Sequence, residues 1–284
     1  MAFTALIVPE SLSKERQMIA REKWDEEIHR LGYKKWMISQ LNIFKPLNVL
    51  WPRGAGSSLQ LRKNLLLLAS IDTMMFGIAM GTSQIILIYA RKQFHFTAVD
   101  SAAFLSTVNV VRVSALLLVL PLLTRVFRGP ASARMESKGH RGSDRLDVGI
   151  IRIAVILDLI GYLGYAIAPT GAILVVAGMV ASLGGIGSPT LSSSMTKHIP
   201  SDRTGQVLGA SGLLHALARV VAPVIFNLIY AKTVAVYPGI VFFCLASIFV
   251  VVFVLSWGVK PHVFWDESKT EPEEEDRRAG ETLS

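Results

Sequence analysis

The chain has 284 residues, of which 51% are hydrophobic, with a mean hydropathy of +0.46 and a formal net charge of +8 at pH 7. Such a positive charge can indicate nucleic-acid binding, but here the basic residues lie mainly outside the apolar stretches, where the positive-inside bias of membrane proteins places them, which argues against nucleic acid as a partner. A single cysteine, Cys244, excludes an intramolecular disulfide.

Residues 1–62 are predicted to form a cytoplasmic segment. Charges of both signs crowd the stretch from Ser13 to Leu31, which is typical of a solvated helix. Aromatic residues and lysines between Tyr33 and Phe44 favour a short helix in the membrane interface.

Residues 63–260 contain six apolar stretches that are each long enough to cross a bilayer, which takes roughly 20 residues of helix. They are Asn64–Ala90, Ala102–Phe127, Val148–Ala168, Gly171–Met195, Gln206–Ala231 and Gly239–Val259. Helices that are apolar on all sides belong in lipid. The sequence therefore predicts an all-α membrane protein built on a six-helix transmembrane bundle.

The loops predict an orientation. Lysine and arginine are concentrated before the first span, between the second and third, and between the fourth and fifth, and basic loops favour the cytoplasmic side. Both termini are accordingly predicted to be cytoplasmic. Residues 261–284 include the acidic run Glu273–Asp276 and few apolar residues, so a disordered tail is expected there.

Four spans carry a charged residue near their middle, namely Asp72, Arg112, Asp158 and Arg219. Placing such a group in lipid costs about 2.5 to 3.5 kcal/mol. We therefore expect the four side chains to face the bundle interior, a water-filled cavity or one another. Two structural ion pairs, Asp72 with Arg112 or Asp158 with Arg219, are an open alternative to a role in transport.

Polar residues extend these positions into stripes at helical spacing. Tyr162 and Tyr165 follow Asp158 on one face, and His215 precedes Arg219 by four residues. His215 could relay protons or make an interhelical hydrogen bond, and Asp158 is the candidate for proton coupling. The predicted solute and ion pathway comprises Asp72, Arg112, Asp158, Tyr162, His215 and Arg219.

Glycines are concentrated in the fourth span, where Gly184, Gly185 and Gly187 stand close together. Small residues permit either tight helix packing or bending, and both interpretations remain open. The run is not a phosphate-binding loop, because it lies in an apolar span and no lysine follows it. At the start of the third span, Asp147 and Arg152 suggest a gate or a topology anchor.

Several segments resemble the C-terminal half of fungal major facilitator superfamily (MFS) transporters: Pro9-Glu10-Ser11-Leu12, Asp147 to Gly161, Gly205 to Tyr230 and Thr233 to Gly239. The resemblance implies that the spans correspond to helices seven to twelve of such a transporter. It also implies secondary active transport of a small solute, coupled to protons. The other six helices would then come from outside this sequence, or a second copy would take their place.

Two other classes of function differ in how well they fit the sequence. The chain could be a truncated or accessory six-span membrane protein without transport activity of its own. An intramembrane enzyme is disfavoured, since the spans contain no His-Glu-x-x-His pairing and no nucleophile turn of the Gly-x-Ser-x-Gly type. The expected partners are a small solute, protons and lipid, with no catalytic residue, cofactor or metal.

Overall fold

A computed structural model describes residues 18, 21, 45–52, 57–126, 143–200 and 203–265. The chain separates into two units, Met1–Lys45 and Pro46–Ser284, and the second contains every span. The predicted charged helix before residue 31, the interfacial helix and the acidic tail lie almost entirely outside the described residues. The proposed domain limits at 62 and 260 stay predictions.

Six helices are long and apolar enough to cross a membrane, which confirms the predicted bundle. They are α1 (Leu59–Phe94), α2 (Ala98–Val126), α3 (Arg145–Ile167), α4 (Gly171–Lys197), α5 (Thr204–Thr233) and α6 (Ile240–Trp257). A short 3-10 helix, Lys45–Leu50, precedes them. All regular secondary structure in the described part of the chain is helical.

The helix α1 is longer than its apolar stretch predicts. It begins at Leu59, where the Ser58 hydroxyl accepts a hydrogen bond from the Leu61 amide, and it ends before His95, which adopts a left-handed conformation. Its 36 residues span about 54 Å, well beyond the hydrocarbon core of about 30 Å. Helical hydrogen bonding continues into the polar ends because nothing in the backbone stops it at the lipid boundary.

Two helices are irregular near their middle. In α2 the residues Ala115–Val119 form a π-helical segment, and in α4 a 3-10 turn occupies Gly184–Ile186. In α4, Pro189 has no N–H to donate to the Gly185 carbonyl, and the neighbouring glycines tolerate the altered backbone. Such interruptions are common at functional sites in membrane proteins.

The helices pack closely where small residues meet. A Cβ added at Gly161 would lie 2.5 Å from the Ala181 Cβ, and one at Gly164 would lie 2.7 Å from the Ala177 Cβ, so α3 and α4 are nearly in backbone contact. The helices α2 and α5 differ from the rest, because only 11% of their most apolar stretches is buried, against 39 to 50% in the other four.

Polar contacts tie helix ends together at one end of the bundle. The Asn64 side chain of α1 donates to the Lys260 carbonyl at 2.7 Å and accepts from the Lys260 amide at 3.1 Å. Its Nδ2 also lies 3.2 Å from Nε2 of the buried His198, just after α4. Lys197 and Asp147 form an ion pair at 2.9 Å between α4 and α3.

Arg152 forms a further link at this end, from α3 to α6. Its guanidinium lies 4.6 Å from the ring centroid of Trp257 and donates to the Ser256 carbonyl at 3.3 Å. Asp147 and Arg152 thus contact different helices, α4 and α6, and their expected role as a gate or anchor stays a prediction. At the opposite end, the Tyr237 hydroxyl donates to the Ala166 carbonyl at 2.9 Å.

Candidate functional site

A cavity of about 490 Å³ lies among the helices, lined by residues of α1, α2, α3, α4 and α6. Its volume falls within the range typical of small-molecule pockets. Its wall combines aliphatic and small residues with charged and aromatic side chains. The charged and aromatic lining residues are Asp72, Phe76, Phe104, Arg112, Asp158, Tyr162, Tyr165 and Phe249.

Asp72 is held from α5. Its side chain is only 2% exposed, and its Oδ2 accepts a hydrogen bond from the Ser211 hydroxyl at 2.9 Å. Nε2 of His215 lies 2.9 Å from the same oxygen, a contact that is an ion pair when His215 is protonated. A carboxylate this deep in the bundle requires such partners.

An aromatic ring joins His215 to a second basic residue. Phe76 of α1 stacks on the His215 ring, with centroids 4.2 Å apart and planes 9° from parallel. The Arg219 guanidinium lies 5.6 Å from the centroid of Phe76. Neither His215 nor Arg219 lines the cavity itself. They contact residues that do, namely Phe76 and Asp72.

Arg112 and Asp158 lie where the two helices are irregular. Arg112 precedes the π-helical segment of α2 by three residues, and the carboxyl of Asp158, from α3, lies against Gly184 in the 3-10 turn of α4. Both side chains line the cavity. Among the described residues, Asp158 has no hydrogen-bond partner, and Arg112 supplies its one attractive charge.

The tyrosines form an aromatic part of the cavity wall. The rings of Tyr162 and Tyr165 are 5.5 Å apart in an edge-to-face arrangement, and Tyr162 also lies 5.0 Å from Phe249 of α6. Both tyrosines are buried apart from the cavity. The expectation that Asp158, Tyr162 and Tyr165 share one face agrees with this geometry.

The structure thus brings four of the six predicted pathway residues to the cavity, namely Asp72, Arg112, Asp158 and Tyr162. The alternative ion pairs were wrong: among the described residues neither Asp72 with Arg112 nor Asp158 with Arg219 forms one, and Asp72 instead contacts His215. Phe249 was missed, since an aromatic residue in the strongly apolar α6 gives no signal in the sequence.

The described residues contain no group of three or more histidine, cysteine, aspartate or glutamate side chains that could hold a metal ion. Asp72 and His215 make a pair, and a hydroxyl completes their surroundings. The charged, hydroxyl and aromatic side chains that line the cavity offer ionic contact, hydrogen bonding and stacking.

Comparisons with known proteins identify three informative relatives. The MFS-type transporter avaJ of Aspergillus versicolor is 31% identical over 183 residues, which cover 64% of this chain and 35% of that protein. The uncharacterized membrane protein YJL163C of Saccharomyces cerevisiae is 25% identical over 234 residues, covering 80% of this chain and 41% of that protein. The class C tetracycline resistance protein of Escherichia coli is 26% identical over 134 residues, covering 47% of this chain and 31% of that protein.

No family model matches the chain. The matched segments span 31 to 41% of the relatives' lengths, a share that fits one six-helix part of a larger membrane protein.

Proposed function

We propose that the chain, which is similar to an MFS-type transporter, forms one six-helix half, helices seven to twelve, of a secondary active transporter for a small solute. The observation that carries this proposal is the cavity of about 490 Å³, with charged side chains placed among aromatic rings. A solute site needs an apolar enclosure and a few converging polar groups, and this cavity has both.

In this proposal the pathway residues divide into two groups. Arg112, Asp158 and Tyr162 contact the solute, since all three line the cavity and Asp158 has no hydrogen-bond partner among the described residues. Asp72 and His215 lie outside this group and hold α1 against α5. The guanidinium of Arg219 lies beside the ring of Phe76.

Proton coupling is assigned to Asp158. Its carboxyl faces the cavity without a hydrogen bond from the described residues, whereas the carboxyl of Asp72 is held by Ser211 and His215. A carboxyl group that can exchange its proton with the cavity is able to couple solute binding to proton binding, as intramembrane acids in transporters do.

The partner of this half is proposed from the two exposed helices. Both α2 and α5 bury little of their surface, and each carries an exposed arginine, Arg112 and Arg219. Arginines facing lipid would cost about 2.5 to 3.5 kcal/mol each. These faces therefore adjoin a second six-helix half, from the rest of a longer protein or from another copy of this chain.

Uptake into liposomes tests the function. The chain, alone and reconstituted with the remaining part of its full-length protein, would be assayed with a panel of labelled solutes that includes tetracycline, with and without an imposed pH gradient. We expect gradient-driven uptake from the complete assembly, and Asp158→Asn should reduce that uptake to the level measured without a gradient. Asp100→Asn is the matched control, because Asp100 caps the start of α2 outside the cavity.

Each outcome bears on a different part of the proposal. Unaltered gradient dependence in Asp158→Asn would remove the coupling role from this residue. Absence of uptake from every preparation would instead favour the accessory six-span protein without transport activity.

A further inference from the structure

Two consecutive glycines in α4 contact charged side chains rather than a neighbouring helix. An ideal Cβ at Gly184 would lie 2.5 Å from both Cγ and Oδ1 of Asp158. One at Gly185 would lie 2.8 Å from Nε and 3.1 Å from Cγ of Arg112. Among the described glycines, no other has a charged side chain in this position.

This pattern differs from that of glycines at helix crossings. At Gly161 an added Cβ would meet backbone atoms of Ala181, with the nitrogen at 2.7 Å and Cα at 2.8 Å. Backbone atoms cannot move without separating the helices, whereas the carboxyl of Asp158 is the end of a flexible side chain. A methyl group at Gly184 would therefore displace the carboxyl and leave the helices in place.

The two charged side chains lie against different residues of the turn. In 3-10 geometry successive residues point about 120° from one another, so Gly184 and Gly185 present different sides of α4. Asp158 rests against the first and Arg112 against the second, and the two side chains form no ion pair. Both remain directed at the same cavity, where each can meet a separate part of a solute.

We propose that Gly184 and Gly185 are positioning residues, whose lack of a side chain lets the Asp158 carboxyl and the Arg112 guanidinium rest separately against the turn of α4. The inference rests on the proposed function only in assigning Asp158 and Arg112 to the solute pathway. It competes with a simpler explanation, in which the glycines only let α4 bend or pack.

Chemical labelling of the purified chain in lipid nanodiscs tests the proposal without any assay of transport. Dicyclohexylcarbodiimide modifies carboxyl groups in apolar surroundings and phenylglyoxal modifies arginines, and peptide mass mapping gives the rate at each residue. The variants are Gly184→Ala and Gly185→Ala. Gly212→Ala in α5 is the matched control, because nothing lies within 4 Å of a Cβ at Gly212.

We expect Gly184→Ala to change the labelling rate of Asp158 about twofold or more, the lower end of the coupling seen between touching residues. Gly185→Ala should change the labelling of Arg112 to a similar extent. Each variant should affect its own target more than the other, and Gly212→Ala should affect neither. A role in packing alone would not produce this pairing of glycine with charged residue.

Unchanged labelling in the folded alanine variants, or equal changes in Gly212→Ala, would overturn the proposal. If Gly184→Ala does not fold, the double variant Gly184→Ala/Asp158→Ala decides. Recovery of the fold on removing the carboxyl supports the contact, and failure to recover it contradicts the contact.

Discussion

The hydrogen bonds around the buried side chain of His198 fit only its neutral form. The Asn64 amide cannot be flipped, because it donates to the Lys260 carbonyl and accepts from the Lys260 amide. Its Nδ2 therefore donates to Nε2 of His198, while Nδ1 of His198 donates to the Ser194 carbonyl at 2.6 Å. A proton on Nε2 would face another donor, so the charged imidazolium does not fit this site.

Burial accordingly lowers the pKa of His198 below its ordinary value of 6.5, and the adjacent Lys197 acts in the same direction. The Ser194 carbonyl and Asp147 oppose the shift without overcoming it. Below about pH 6.5 the unfolded chain then binds a proton that the folded chain does not. Stability should therefore fall as the pH is lowered from 7 towards 5, by up to about 1.4 kcal/mol per pH unit from this residue.

Thermal unfolding of detergent-solubilised protein between pH 5 and 7.5 measures this effect. His198→Gln should be less stable than the natural chain at pH 7, and its stability should depend less on pH below 6.5. His95→Gln, at an exposed helix end, serves as the control and should keep the natural pH dependence. Parallel pH profiles for the natural chain and His198→Gln would contradict the assignment of this titration to His198.

At the same scale, the sequence indicates which residues must avoid lipid but not which partner each one finds. Moving a charged side chain into lipid costs free energy, which predicts that such a side chain faces the bundle interior. This applies equally to Asp72, Arg112, Asp158 and Arg219. The partner of Asp72 depends on how α1 and α5 are rotated and shifted against each other. Hydropathy carries no information on that register, so the contact with His215 could be found only from the structure.

At the scale of the helix, α3 provides an internal comparison between two glycines. A Cβ at Gly161 would clash with the backbone of Ala181 in α4, whereas nothing lies within 4 Å of a Cβ at Gly149. Gly161→Ala should destabilise the bundle by about 1 to 3 kcal/mol, the usual cost of overpacking. Gly149→Ala should be neutral or stabilising by up to about 1 kcal/mol, because alanine favours the helix.

The midpoint of unfolding in mixed detergent micelles, followed by circular dichroism, measures both variants. The two changes add the same methyl group to the same helix. The difference between their unfolding midpoints therefore reports the close contact of α3 with α4. Equal stability of the two variants would mean that α3 and α4 lie farther apart than the structure places them.

The sequence pattern of small residues predicts close packing or bending in α4 without distinguishing them. The structure assigns different contacts to different glycines: Gly161 and Gly164 accommodate a neighbouring helix, while Gly184 and Gly185 accommodate charged side chains. The spacing of glycines in the sequence shows only where a side chain is absent. Which atoms lie against each glycine depends on the opposing helix, and the sequence spacing carries no information about that helix.

At the scale of the whole molecule, six crossings were predictable because a bilayer demands about 20 apolar residues from every spanning helix. Because six is an even number of crossings, the start of α1 and the end of α6 lie on the same side. Contacts of Asn64 with His198 and Lys260, and of Lys197 with Asp147, bring the start of α1, the start of α3, the end of α4 and the residues after α6 together at one end. The basic segments of the sequence adjoin this end, which predicts that it is cytoplasmic.

The helix α1 offers a matched pair of positions for testing that orientation. Gln60 and Gln93 are both exposed and lie near its two ends, about 50 Å apart along the axis. In a background in which Cys244 is replaced by alanine, Gln60→Cys and Gln93→Cys each introduce one thiol without altering charge. Sealed microsomes expose the cytoplasmic face, so a membrane-impermeant maleimide should label Gln60→Cys at once and Gln93→Cys only after detergent is added. Labelling of Gln93→Cys alone in sealed vesicles would reverse the orientation, and labelling of both would show that α1 does not cross the bilayer.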